Sequence, residues 1–473
     1  MKHTPVSILA RRRLAISAGL LAGALSGTAL ALAATLALPV TATAERSLPT
    51  AGLLLDATHL PPLLTTPGED VTLRYDIHCV RAQESLGSGS ELCSGRGSVF
   101  IRAGDTGPFT ELQLRVDPAA EEGRYAAHVP GEIARSRWGF TYYAMLSAGP
   151  GGPTVRLPEA GADAPQRSLP MDRAVDVRLG THVFGAVHHA HARVAQAPWG
   201  DGPADVGLEG GRAVPPVGGS SFDVDASGTV HVLDHVHRRL LRWQHGTQVP
   251  QSVPLAIAGT LADVSIARDG TTYVLEGARA SQGPLLRAFN DEGKALGAAE
   301  LTERTVSQVR LGADGPIVLQ QPSGQWVPVT VGRGPQPDAV AVAEGIPGRS
   351  LPGGGEVVVL RRGNEVRVAI TTAGRVLRSW RVTSATPLGE VQLAEPLGTR
   401  LVLVVRLYTD TRDEFRVLVL GPAGLEASTS LDSADWAESA PLSRFRLVGS
   451  SLYQLGSTPT GLFVDRFDLE VTS

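Results

Sequence analysis

Twelve histidines, two cysteines and a scatter of aspartates are the residues of this chain with chemistry to offer. Two histidine groups stand out: His188, His189 and His191, and His231, His235 and His237. Three imidazoles can hold zinc. His235 and His237 flank a loop after a strand, but His231 precedes it within the strand, where alternation fixes the side it faces. No matching carboxylate-and-histidine spacing recurs further along. Solvated or hydrogen-bonded loop histidines are therefore the expectation, with no metal and no cofactor. Asp225 and Asp234 bracket one strand, and Asp410 and Asp413 flank the turn between Tyr408 and Phe415. An axial calcium site would draw carboxylates from several repeats. The positions matching Asp234 elsewhere are Glu276, Gln320 and Arg361, so turn-capping is the expected work of these aspartates. Ser220-Ser221 after Gly218-Gly219 lacks the closing glycine of a nucleophile elbow, and Gly353-Gly354-Gly355 leads into a strand with no helix behind it to hold a phosphate. No catalytic residue is assigned. Trp199, Asp234, His235, His237, Asp410 and Asp413 are the candidate ligand-binding residues.

These side chains need a scaffold, and composition narrows it. The 473 residues include 54 Gly and 33 Pro, a density suited to many short strands and tight turns. Apolar residues make up 42% and charged residues 19%, which describes a globular chain. Only Lys2 and Lys294 are lysines, a bias typical of a GC-rich coding sequence. The first 44 residues hold four basic residues (Lys2, Arg11, Arg12, Arg13) and no acid, which leaves 39 basic against 47 acidic residues in the remainder. That acidic balance, with no basic run interleaved with aromatics, excludes a nucleic-acid role.

The same 44 residues read as an export signal. A basic start precedes an uncharged stretch from Leu14 to Val40, and Ala42-Thr43-Ala44 offers the small residues a signal peptidase needs. An uncleaved anchor is the alternative, since 27 residues suffice to span a bilayer. Either way the chain is secreted or held in the cell envelope. Cys79 and Cys93 fit that compartment. They close a loop of about 15 residues, worth roughly 3 kcal/mol as a disulfide in the chain-entropy model, and a bridge between open strands is preferred over metal or redox chemistry.

Residues 51–158 form alternating runs, among them Val71-Thr-Leu-Arg-Tyr-Asp-Ile-His78, Ser98-Val-Phe-Ile-Arg102 and Phe140-Thr-Tyr-Tyr-Ala-Met-Leu146. Six or seven such strands predict an Ig-like or fibronectin-III-like β-sandwich. Residues 159–173, rich in Ala, Pro and Gly, read as a linker that makes the sandwich a separate folding unit. From 174 to 473 a strand, a glycine turn and a second strand recur. The turn glycines Gly228, Gly270, Gly315, Gly355, Gly398 and Gly449 stand 42, 45, 40, 43 and 51 residues apart. A period near 43 with three or four short strands predicts an all-β, six-bladed β-propeller. The sixth unit ends after its third strand, so an outer strand must come from upstream. Val175–Leu179 is the first choice and a strand within His182–Gln196 the second.

Trp199-Gly-Asp-Gly-Pro203, then Phe222-Asp-Val-Asp-Ala-Ser-Gly-Thr-Val-His-Val-Leu-Asp234 and His237-Arg-Arg-Leu-Leu-Arg-Trp243, resemble an NHL-type propeller repeat, with His237 where that family usually has Asn. The resemblance is good in the first unit, fair in the second and weak beyond. It implies a propeller, most often a binding platform and in a few members a lyase or hydrolase. The export signal, sandwich and propeller together resemble secreted proteins of GC-rich bacteria. The functional expectation is an exported, non-catalytic protein that presents a propeller face to a protein, peptide or glycan. A metal-assisted hydrolase or lyase, and a structural component of an extracellular assembly, are the alternatives. Sequencing the exported form should give Glu45 as its first residue; a chain still starting at Met1 would favour the anchor.

Overall fold

Runs of Val, Leu, Ile and Thr set the character of the molecule, because side chains branched at Cβ pack well on pleated sheets. The computed structural model describes residues 53–81, 91–92, 95–117, 124–149, 152–211, 214–277, 283–301, 305–321, 323–334, 338–340, 347–437 and 442–469. The expected export signal at 1–44, and Cys93 of the expected disulfide, lie outside them. The described residues fall in one compact unit and are almost wholly β; the one helix among them is the four-residue Gly131–Ala134.

Two sheets come first. One orders Leu53–His59, Thr72–Arg81, Arg124–His128 and Arg115–Val116, with Glu91–Leu92 paired to the second of these. The other orders Leu64–Thr65, Gln166–Pro170, Phe140–Ser147, Arg96–Ala103 and Thr110–Gln113, with Thr154–Leu157 paired to Phe140–Ser147. Period-two alternation turns Leu73, Tyr75 and Ile77 of the first sheet and Val99, Ile101, Tyr142 and Ala144 of the second into one shared core.

The expected linker is corrected here. Within 159–173, Gln166–Pro170 is a strand, antiparallel to Phe140–Ser147 and parallel to Leu64–Thr65. Its sequence hides this because its inward residues are polar and satisfied. Ser168 shares a hydrogen bond with Thr65 at 3.2 Å, and the Gln166 and Gln325 side-chain amides pair at 2.8 Å. The leading sheets also touch the repeat region. Leu63, Leu64, Leu169 and Met171 pack in one cluster with Val358 and Ala369 of the repeat region. Arg367, buried, donates to Glu69 at 2.6 Å.

From Ser221 onward six sheets follow one another among the described residues. Their first strands are Ser221–Val224, Ala262–Ile266, Val306–Leu311, Arg349–Ser350, Leu388–Leu397 and Phe445–Val448. The first touches the second, the second the third, the fifth the sixth, and the sixth returns to the first. This ring is propeller-like. The third sheet has three described strands, and Gly332–Arg333 and Asp338–Val340, which follow it, pair with Ala295–Leu301 of the second sheet.

The closing strand differs from the first choice. Val175–Arg178 pairs parallel with Arg375–Thr383 as a fifth strand of the fourth sheet, where Val177 packs with Trp380 and Val382. Ala192–Pro198 closes the last sheet instead, antiparallel to Gly461–Asp468, and turns Ala195 and Ala197 into a core shared with Phe222 and Val232. Between these two strands, 179–191 crosses the fifth sheet. His182 bonds Glu414 through Nε2 at 2.8 Å, and His188 N–H donates to Ser430 O at 2.7 Å. Because the second of the leading sheets packs in one cluster with the ring, Leu169→Ala should cost about 2–5 kcal/mol and shift one cooperative thermal transition. Two resolved transitions, with only the first displaced, would restore independent domains.

Candidate functional site

In an antiparallel sheet the turn between second and third strands and the connection into the next sheet leave by the same edge. Residues 235–238, 255–261, 409–412, 433–437, 442–444 and 459–460 therefore gather on one face of the ring. Strand Ala192–Pro198 ends on that face too, since Pro198 pairs with Gly461.

Asp234 is wholly buried at the end of strand Val230–Asp234. Its Oδ1 accepts from Gly207 N–H at 3.2 Å and His237 N–H at 3.3 Å; its Oδ2 accepts from His237 Nδ1 at 2.7 Å and Arg239 Nε at 2.9 Å. Arg239 also reaches the carbonyls of Gly202 and Asp205 at 2.9 and 2.7 Å, which ties down the 199–207 loop. The other nitrogen of His237 faces Asp201 Oδ1 at 3.2 Å. Burial disfavours the imidazolium, yet hydrogen bonds to Asp234 and Asp201 outweigh it, and the His237 pKa is raised. The second sheet repeats the device: Glu276 accepts from Ala258 N–H at 2.5 Å and Arg287 Nε at 2.7 Å. In both sheets a carboxylate at the end of the second strand joins the arginine of the third strand to an incoming loop. The turn-capping expected of Asp234 thus has a partner set wider than its own turn.

His235, 1% exposed, has no partner for either ring nitrogen among the described residues. Burial lowers its pKa, and the charges of Glu209 and Asp234 only partly offset this. Trp199 donates Nε1–H to Thr458 O at 2.8 Å, and its ring lies 6.2 Å from that of Trp436, tilted by 34°. Trp199, Asp234, His235 and His237 are thus brought to one corner. Asp410 and Asp413 sit on the fifth sheet's hairpin instead, where Asp410 is exposed and Asp413 accepts from Arg406 at 2.5 Å. His231 turns to the opposite edge. It donates through Nε2 to Asp225 at 3.1 Å, and Asp225 caps its turn through Ser227 and Thr229.

Sequence reasoning missed a charged cluster where the first strands meet. Asp223 accepts from Arg446 Nε at 2.9 Å and from Ile266 N–H at 2.7 Å. Asp263, wholly buried, accepts from Ser221 Oγ at 2.5 Å, Val309 N–H at 2.8 Å and Arg310 at 2.7 Å. Its signal was present in the aligned first strands, Ser221-Phe-Asp223 beside Asp263-Val-Ser265, with Arg310 and Arg446 in theirs. Beside this cluster lies a cavity of about 220 Å³ lined by Arg310, Trp326, Arg349, Val359, Leu393 and Glu395. It opens where the fourth sheet's first strand is cut to Arg349–Ser350, and Arg349 pairs with Glu395 at 2.6 Å.

The described residues are thus almost wholly β and built around a propeller-like ring, with an aromatic corner on its loop face. Solved structures are similar to the chain at low identity. Virginiamycin B lyase from Staphylococcus aureus is 9% identical over 54% of this chain and 85% of its own, with a TM-score of 0.29. A Bacteroides caccae protein of unknown function is 13% identical over 50% and 96%, with a TM-score of 0.31. A Bacteroides thetaiotaomicron structural genomics protein of unknown function is 8% identical over 89% and 99%, with a TM-score of 0.33. No family model matches the chain. No curated protein matches it either.

Removing the Asp234 carboxylate should cost about 3–5 kcal/mol, because Arg239 is left buried without its partner. Urea unfolding of Asp234→Ala measures this. The pH response has two sides. The raised His237 pKa gives stability that is full below its unfolded value near 6.5 and is lost as pH rises through the folded value. The lowered His235 pKa gives stability that is full above that value and is lost as pH falls. Protection factors for the 199–207 amides should peak near neutrality, with His237→Gln flattening the alkaline side and His235→Leu the acidic side.

Proposed function

We propose that this chain is an exported, non-catalytic binding protein. In this reading the ring is a six-bladed, NHL-like propeller whose loop face takes a protein, peptide or glycan ligand. The two leading sheets are an Ig- or fibronectin-III-like sandwich that buttresses the fourth blade, pinned by a Cys79–Cys93 disulfide. Residues 1–44 direct the chain out of the cytoplasm, to the exterior or the envelope. The observation that carries the reading is the aromatic corner. Trp436 is 41% exposed on a loop bonded to the last sheet, through Ser457 N–H to Ala434 O at 2.7 Å and Ala437 N–H to Ser457 Oγ at 2.9 Å. Folding alone does not require an indole left exposed beside a second indole, and exposed aromatics are what binding surfaces use.

The same corner disfavours hydrolase or lyase chemistry. Asp234 and His237, its strongest acid–base pair, are spent on Gly207, Arg239 and Asp201. Metal analysis of the purified, dialysed protein tests this. Substoichiometric Zn and Ca are expected; a stoichiometric ion that Asp234→Ala abolishes would overturn the binding reading.

A further inference from the structure

We propose that Trp436, Trp199, Asp201 and His237 form a carbohydrate subsite for equatorially substituted pyranosides. The inference rests on the binding reading above and narrows it to a ligand class.

The Trp199 indole is fixed by a hydrogen bond, and the backbone on either side of Trp436 is bonded. The Trp199 N–H is consumed by Thr458 O at 2.8 Å, so Trp199 offers its ring and not its donor. The Trp436 loop is bonded to strand Ser451–Thr458 and is held again by Arg444, which donates to Ser433 O at 2.6 Å. At 6.2 Å and 34° the two rings are too close to admit a third ring or an ammonium group between them. They form one bent apolar step, half-buried at Trp199 and exposed at Trp436, and not a cage for a quaternary ammonium. Polar partners stand on the same loop. The Asp201 side chain is fully exposed and is oriented by His237, which Asp234 backs from below. Thr458 and Thr460 hydroxyls, 3.0 Å apart, lie at the neighbouring hairpin.

A pyranose with equatorial substituents has flat C–H faces and a rim of hydroxyls. The step matches the faces; the acceptor-only carboxylate and the hydroxyls match the rim. A basic peptide is less well served. Of the other carboxylates on this face, Asp234 is neutralised by Arg239 and Asp413 by Arg406, which leaves the exposed Asp410 at the fifth sheet's hairpin. The stack needs no field, only an apolar plane and hydrogen-bond partners beside it.

The test titrates the full mature protein with cellohexaose and chitohexaose, followed by tryptophan fluorescence and calorimetry. Saturable quenching by at least one oligosaccharide is expected. Trp436→Ala should weaken that binding at least tenfold with the Tm unchanged, and Asp201→Asn by a smaller factor. No binding of either sugar, or binding indifferent to Trp436→Ala, overturns the inference. A trilysine amide bound in a Trp436-dependent way, with no sugar bound, would sink the carbohydrate assignment and leave the binding reading standing. A stoichiometric metal together with a silent Trp436→Ala would sink both.

Discussion

The ring depends on a salt-bridged cluster where its first strands converge. Edges of separate sheets meet there with no continuous ladder between them. Asp223 reaches from the first sheet to Ile266 N–H of the second, and Asp263 from the second to Val309 N–H of the third. Carboxylates thus do between sheets what backbone carbonyls do within them. Their charge must be answered, and Arg446 and Arg310 answer it from the sixth and third sheets. Burial and the charge of Arg446 pull the Arg310 pKa down to about 10 against the two aspartates, so it stays charged at neutral pH. Removing one member of such a set strands the others in a poorly solvated place, a loss of about 3–5 kcal/mol.

The same solution recurs at larger radius. Asp234 and Glu276 each join an arginine on a third strand to the backbone of an incoming loop. At the rim the joints become strands. Ala192–Pro198 pairs with Gly461–Asp468 as the outer strand of the last sheet, and Val175–Arg178 is added to the fourth. The 179–191 segment between them binds the fifth sheet through Glu414 and Ser430. The leading sheets then press Leu64 and Leu169 onto Val358 and Ala369. Side-chain charge holds the inside of the ring and borrowed backbone holds the outside.

This division leaves the loop face free of structural duty except at its clasps. Where a clasp holds, as at Asp234, potentially reactive groups are quenched. Where the loop is instead anchored through its backbone and Ser457, as at Trp436, a large side chain is left over and faces water.

Much of the repeat was legible because its signals are local. Gly228, Gly270, Gly398 and Gly449 take φ of 82°, 86°, 59° and 60°, backbone that other residues adopt only with strain, so their spacing marked the turns. The strands beside them alternate or run apolar because each face meets a core. Of the candidate residues, Asp234, His235 and His237 are neighbours in sequence, whereas Trp199 reaches their corner through the bonds of Asp234 and Arg239 to its loop. Tertiary structure decided the rest, since backbone pairing between distant segments leaves little side-chain trace. Nothing in Val175–Leu179 forbade closure of the last sheet, and Gln166–Pro170 reads as a linker because its buried amide and hydroxyl are satisfied by Gln325 and Thr65. The charges of Asp263 and Arg310 became partners, His235 became buried, and Trp436 came beside Trp199 from 237 residues away, only when the ring closed.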